Sequence, residues 1–387
     1  MRQVSIIGAG MTRFGEHWEK SLRDLVTEAA VKAVEDAKLD GSEIEAIYGG
    51  CMAPGLFAGQ EHVGALIADQ LGMNPIPSTR VEAACASGSL ALRNAYLAVA
   101  SGAYDVVAVG GVEKMTEVTT EQAGAILGGA GDQEWELFLG ATFPALYALM
   151  AKRHMHDYGT TEEQMAACSV KNHANAVHNP FAQFQRAITV DDVMKSGYVA
   201  DPLKLLDCSP ITDGAAAVIL CATEKARKHT DLPINILASS QASDTLALAH
   251  RSSLTEINAT KVAAANAFKQ SGLSLKDIQA AEVHDCFSIA EVMAIEDLGF
   301  FKKGTGGKVT ANGETALNST LSVNPSGGLK ACGHPVGATG VKQAVEATIQ
   351  LRGAAGKRQV SGLEHFMTHN VGGSGATVII HLFGRGD

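Results

Sequence analysis

The chain is written twice, and that repeat constrains its fold more than any other feature of its 387 residues. At a fixed offset of 234, Ala29, Ala30, Ala33, Leu39, Ile44 and Ala46 fall on Ala263, Ala264, Ala267, Leu273, Ile278 and Ala280. Each copy opens on a short apolar strand, Val4–Gly10 and Ile234–Leu237, followed by apolar residues at helical spacing. In the first copy these are Leu22, Leu25, Val26, Ala29 and Ala33, with Ser21 placed as an N-cap. In the second, the helix runs from about Ala259 to Gly272. The copies also close alike, on Asp213-Gly-Ala-Ala-Ala-Val-Ile-Leu and Gly375-Ala-Thr-Val-Ile-Ile. Such a repeat implies two similar α/β halves, residues 1–230 and 231–387, and alternating strands and helices imply mainly parallel sheets covered by helices. The first copy is longer. Its excess implies an insertion of roughly 70 residues, a loop domain between about Glu113 and Asp207 (residues 113–207).

Composition narrows the partners. A formal charge of −10 argues against nucleic acid and acidic membrane surfaces, although local basic residues or helix N-termini can still hold an anionic ligand. The N-terminus lacks the apolar core of a signal peptide, and no 18-residue apolar run occurs, so the reading is a cytoplasmic, soluble protein. Seven cysteines (51, 85, 168, 208, 221, 286 and 332) form no CxxC pair, which fits reduced thiols and fits no metal-ligand spacing.

Two segments carry chemistry. In Val81-Glu-Ala-Ala-Cys85-Ala-Ser-Gly-Ser, small residues surround a thiol just ahead of an amphipathic helix. The positive end of the helix dipole and the free N–H groups there favour thiolate and can bind an oxyanion; the bland alternative is a buried structural cysteine. In Asn324-Pro-Ser-Gly-Gly-Leu-Lys-Ala-Cys-Gly-His334-Pro-Val-Gly-Ala-Thr-Gly340, two glycine clusters frame one histidine, which can take a thiol proton or donate to an oxyanion. The alternative is a glycine-rich loop with a surface histidine. If the halves are true copies, Cys85 and His334 precede corresponding helices and face each other across the pseudo-twofold axis. Two further segments, His284-Asp285-Cys286-Phe287 and His369-Asn370-Val371-Gly372-Gly373-Ser374-Gly375, lie where strands of the second half end.

Taken in order, these segments resemble the thiolase family over essentially the whole chain. Gly333-His-Pro-Val-Gly-Ala-Thr-Gly340 matches the family's G-H-P-x-G-x-[ST]-G motif, and Cys85 matches its nucleophile. The resemblance implies a five-layered α/β/α/β/α fold built from two duplicated halves, with an inserted loop domain. His284-Asp285-Cys286-Phe287 replaces the commoner Asn-Glu-Ala-Phe, and Asn370 stands where a second cysteine usually does. That pattern is similar to the sterol-carrier-protein-type and archaeal acetoacetyl-CoA branch.

The resemblance further implies Cys85 as nucleophile, Cys286 as α-carbon acid/base, and His334 and His284 steadying the enolate oxygen. The N–H groups of Cys85 and Gly372 would form the oxyanion hole. It implies acetyl-CoA, acetoacetyl-CoA and CoA as ligands, no metal and no tightly bound cofactor. It also implies a homodimer or homotetramer, and a complex with 3-hydroxy-3-methylglutaryl-CoA synthase and a small zinc-ribbon/OB-fold protein. The family's CoA-binding His-Met pair is not convincingly matched by His154-Met155, so the CoA-binding residues stay open. A CoA-dependent lyase or retro-aldolase of the same fold, and a non-catalytic acyl-CoA-binding scaffold, are the rival readings.

Overall fold

In the computed structural model, which describes residues 2–386, the repeat is visible as a symmetric sheet. The first half supplies β1 (Val4–Met11), β2 (Ala46–Gly50), β3 (Ser78–Val81), β4 (Val106–Glu113) and, after a long connection holding the small hairpin β5 (Tyr198–Ala200) and β6 (Leu203–Lys204), β7 (Gly214–Ala222). The second supplies β8 (Ile234–Ser243), β9 (Ala280–Glu282), β10 (Ser322–Val323), β11 (His365–Gly372) and β12 (Thr377–Arg385). Their order across one ten-stranded sheet is β10-β9-β11-β12-β8-β1-β7-β4-β2-β3, which reads the same from either edge once the halves are equated. The seam is narrow. β1 and β8 pair antiparallel at Ser5↔Asn235 and Ile6↔Ile234, with the Ser5 hydroxyl donating to Asn235 Oδ1.

The sheet is mixed, which corrects the expectation of mainly parallel pairing. β3-β2-β4 and β10-β9-β11 are parallel, while β4-β7, β7-β1 and their counterparts in the second half are antiparallel. The cause is the last strand of each half. β12 follows β11 through a tight turn at residues 373–376 and so must run back along it. In the first half the same step, from β4 to β7, spans residues 114–213. The inserted segment is therefore longer than the length difference between the halves suggested, because the second half carries longer connections elsewhere. No helix among the described residues is long and apolar enough to cross a membrane.

Helices complete five layers. The outer helix Leu22–Asp36 lies on β1 and β7, and Asn258–Ser271 lies on β8 and β12. Ser21 caps the first in a reciprocal box with Asp24. The approach is close: a Cβ on Gly8 would fall 2.2 Å from the Ala33 carbonyl oxygen, which accounts for the Gly/Ala pattern of both elements. Two central helices, Ser87–Ser101 and Thr339–Leu351, pack on each other, and each touches strands of both halves. Their small residues set the distance. A Cβ on Gly88 would come within 2.7 Å of the Gly337 carbonyl oxygen, and one on Gly340 within 2.2 Å of Ser89 N. The N-terminal ends of both helices are thereby held side by side.

Candidate active site

Cys85 sits two residues before the first central helix, on a turn whose preceding residue, Ala84, has φ 52°. Holding an alanine in that left-handed region costs about 1–2 kcal/mol, and the Ser87 hydroxyl braces the turn by donating to the Ala84 carbonyl at 2.6 Å. Two backbone N–H groups reach the Cys85 sulfur, its own and that of Gly373. Gly372, the expected donor, lies in β11 opposite Thr377, and a Cβ there would strike the Ala83 carbonyl oxygen at 2.4 Å. The helix-start argument favoured a thiolate; the site reverses it. Desolvation dominates, Glu113 adds repulsion, and the Cys85 thiol is pushed up to about 12 despite the two N–H groups.

His334 stands opposite on the second half. Its loop is pinned by Glu113, whose buried carboxylate accepts from Met52 N at 2.8 Å, Ala53 N at 3.1 Å and Gly337 N at 3.0 Å. The His334 backbone N–H donates to Thr212 Oγ1, and its Nδ1 lies 2.7 Å from Thr339 Oγ1. That hydroxyl donates to the Pro335 carbonyl at 3.1 Å, so it accepts from Nδ1–H and leaves a lone pair on Nε2. Burial, and then the Lys342 ammonium, hold the His334 imidazole down at about 3. Lys342 is itself buried against Glu282 at 2.7 Å. The resting pair is therefore neutral thiol and neutral imidazole.

His284 meets His334 edge to face, with ring centroids 5.1 Å apart. Burial first, then the His334 and His369 rings, keep it well below the usual histidine range. The Nε2 atoms of His284 and His334 are both buried without a protein partner. With the Cys85 sulfur, a nitrogen of each ring lies within 4.8 Å of the others. The fold thus gathers a Cys-His-His set of potential metal donors that no spacing in the sequence announced.

Cys286 is buried beside Tyr147, whose hydroxyl hydrogen-bonds its sulfur and lies 3.2 Å from the Gly373 carbonyl oxygen. Burial, and then the neighbouring Cys85, push the Cys286 thiol upward, and Tyr147 works against that rise. Asp285 of the same motif points away from the cysteines. It accepts from Leu329 N at 2.7 Å and from Asn172 at 2.7 Å, tying the His334 loop to the inserted segment.

Sequence reasoning found Cys85, His334, His284 and Cys286, and the structure brings them together. It missed Glu113, Tyr147 and the contacts of Asn370, whose amide reaches both Cys85 and His284. His154 is buried, between Thr160 at 2.8 Å and Glu296 at 3.0 Å, and so is committed to the protein interior.

Residues 4–224 match the family model "Thiolase, N-terminal domain", and residues 240–385 match "Thiolase C-terminal domain-like". The chain is 57% identical over 385 residues to an acetyl-CoA acetyltransferase of Methanothermobacter thermautotrophicus, covering 100% of both chains. It is 53% identical to one of Methanocaldococcus jannaschii, covering 99% of each. Human sterol carrier protein 2 is 34% identical over 98% of this chain and 71% of its own length. Among solved structures, an Ltp2-ChsH2(DUF35) aldolase superposes with a TM-score of 0.85 at 27% identity, covering 98% of this chain and 97% of that one. Human mitochondrial 3-ketoacyl-CoA thiolase, at 18% identity and a TM-score of 0.77 over 100% and 99% of the two chains, shares the fold. A two-half sheet, matched along both halves by one family's models, places this chain in the thiolase family.

Proposed function

We propose that the protein is an acetyl-CoA C-acetyltransferase, condensing two acetyl-CoA reversibly to acetoacetyl-CoA and CoA through an acetyl-Cys85 intermediate. The observation that carries this reading is the convergence of the Cys85 sulfur, from the first half, with a ring nitrogen each of His284 and His334, from the second, whose Nε2 atoms have no protein partner. The two relatives named acetyl-CoA acetyltransferase support it.

The proton inventory closes. His334 Nε2 takes the Cys85 proton as sulfur attacks the first thioester carbonyl, and the oxyanion lies against the N–H groups of Cys85 and the late glycine turn. Collapse expels CoA, which takes the proton of Cys286. The site now holds acetyl-Cys85, a Cys286 thiolate and a His334 imidazolium. Cys286 removes the α-proton of the second acetyl-CoA, whose thioester already acidifies that carbon, while His334 and His284 donate to the enolate oxygen. The enolate carbon attacks acetyl-Cys85, acetoacetyl-CoA leaves, and the Cys85 thiolate recovers its proton from His334. Each step uses CoA thioesters and side chains alone. A retro-aldol reaction has no use for an acyl-cysteine, so Cys85 with its paired imidazole favours acyl transfer.

Mass spectrometry after brief exposure to acetyl-CoA tests the assignment. An acetyl group on Cys85 is expected, absent in Cys85→Ala. Cys286→Ala should still acetylate but fail to exchange the α-hydrogens of bound acyl-CoA with deuterated water. No acetylation, or acetylation elsewhere in Cys85→Ala, would sink the reading. We also propose a cytoplasmic homodimer or homotetramer, and a complex with 3-hydroxy-3-methylglutaryl-CoA synthase and a zinc-ribbon/OB-fold protein. The Ltp2-ChsH2(DUF35) aldolase, a solved relative with a DUF35 component, supports such a partner.

A further inference from the structure

The two facing histidines are chemically different, and Asn370 makes them so. Its Nδ2 lies 3.0 Å from the Cys85 carbonyl oxygen, which can only accept, so that atom is the NH2 and the amide orientation is fixed. The flipped amide would set its oxygen against that carbonyl. The same NH2 lies 3.1 Å from His284 Nδ1. A donor facing Nδ1 requires a lone pair there, which places the proton of the neutral ring on Nε2. His334 has the opposite tautomer, because Thr339 accepts from its Nδ1–H. One Nε2 therefore presents a hydrogen and the other a lone pair to the same space beside Cys85.

We propose that Asn370 is a positioning residue that holds His284 as the Nε2–H tautomer, making it a hydrogen-bond donor in the site and denying its lone pair to a metal ion. The donor role rests on the thiolase reading; the tautomer does not. Cys85, His284 and His334 otherwise form a Cys-His-His set of the kind that binds Zn2+. With Asn370 present, only the sulfur and His334 Nε2 are free to coordinate. Coordination by His284 would need its proton moved to Nδ1, into the Asn370 NH2. An aspartate at this position would accept from Nδ1–H and turn the Nε2 lone pair inward, as carboxylates do behind zinc-binding histidines.

Neutron diffraction from wild-type crystals exchanged into D2O reads the proton positions directly. Deuterium is expected on Nε2 and not on Nδ1 of His284, with the reverse on His334. Deuterium on His284 Nδ1 overturns the proposal, whether or not any variant folds. In solution, Asn370→Asp should lose α-hydrogen exchange by roughly 10²–10⁴-fold while Cys85 acetylation falls less. It should also bind Zn2+ about tenfold or more tighter than wild type, measured by competition with a chromogenic chelator. Wild-type exchange together with unchanged Zn2+ affinity in this variant would equally overturn it. Failure of wild-type Cys85 to acetylate would remove the thiolase reading and leave the proton positions standing.

Discussion

At the scale of single residues, the site is built from neutral groups. Desolvation outweighs the helix dipole at Cys85, and burial with the Lys342 ammonium keeps the His334 imidazole neutral. No resting thiolate–imidazolium pair forms, so in the proposed reaction the thiol ionises only as it attacks. Alkylation of Cys85 by iodoacetamide, followed by peptide mass spectrometry, should rise about tenfold per pH unit from pH 6 to 9 without levelling. A plateau below pH 8 would show a preformed ion pair. Cys85 and His334, the proposed nucleophile and base, were legible because glycines and small residues crowd around them in sequence, whereas His284 and Cys286 stood out by their place at a strand end and by the family resemblance. The residues that tune them were not legible. Glu113 holds Gly337, and Asn370 links Cys85 to His284, across separations that no local pattern encodes. Ala84 was equally hidden, since nothing in an alanine announces a left-handed backbone.

At the scale of elements, the contact between the two central helices sets the geometry of the candidate site, because one follows Cys85 and the other follows His334. Gly340 is its tightest point: an added Cβ would meet Ser89 N at 2.2 Å, Ser89 Oγ at 2.4 Å and Asn370 Oδ1 at 2.5 Å. Gly340→Ala should therefore cost about 1–3 kcal/mol in urea unfolding, with a larger proportional loss of turnover as the histidine is pushed from the thiol. Gly124, in the helix Thr120–Gly128 with open space around it, is the control. There alanine should stabilise by roughly 0.5–1 kcal/mol through helix propensity. Unchanged turnover in Gly340→Ala would mean the helices part without disturbing the site. The helices themselves were legible from apolar spacing, and the short turns Gly41–Glu43 and Leu275–Asp277 fall at the repeat's own offset. Strand direction was not. Alternation of strand and helix leaves the final strand of each half free to turn back, and only the tight turn at residues 373–376 forces it.

For the whole molecule, keeping imidazoles neutral in the interior has a cost in acid. His334, His369 and His381 are held at about 3 by burial, and His284 also lies well below its usual range. Unfolded, each titrates near pH 6.5. Below that pH the unfolded chain binds protons that the fold refuses, so stability falls as pH falls, by up to about 1.4 kcal/mol per pH unit per histidine. Asp285, pushed up to about 6 by burial and Glu291, works in the opposite sense, as do Glu113, Asp297 and Glu346, which burial also raises. Urea unfolding between pH 6.5 and 5 should show this slope before most carboxylates titrate. His381, whose Nε2 lies 3.3 Å from the Ser89 carbonyl oxygen, makes a clean probe: His381→Gln should remove about one proton's worth of slope. An unchanged slope in His381→Gln would contradict the neutral assignment. The duplicated architecture was legible from the repeat alone, whereas the narrow β1–β8 seam was not, because two residue pairs leave no periodic trace.

The division of the site between halves also bears on how the protein is made. Synthesis runs from the N-terminus, so Cys85 emerges and its half can begin to fold while the segment bearing His284, Cys286 and His334 is still untranslated. Until that segment arrives, the cysteine has no imidazole to relieve it of its proton. On the proposed reading the nucleophile is made first, and thioesters find no base beside it until the later half has been translated and folded.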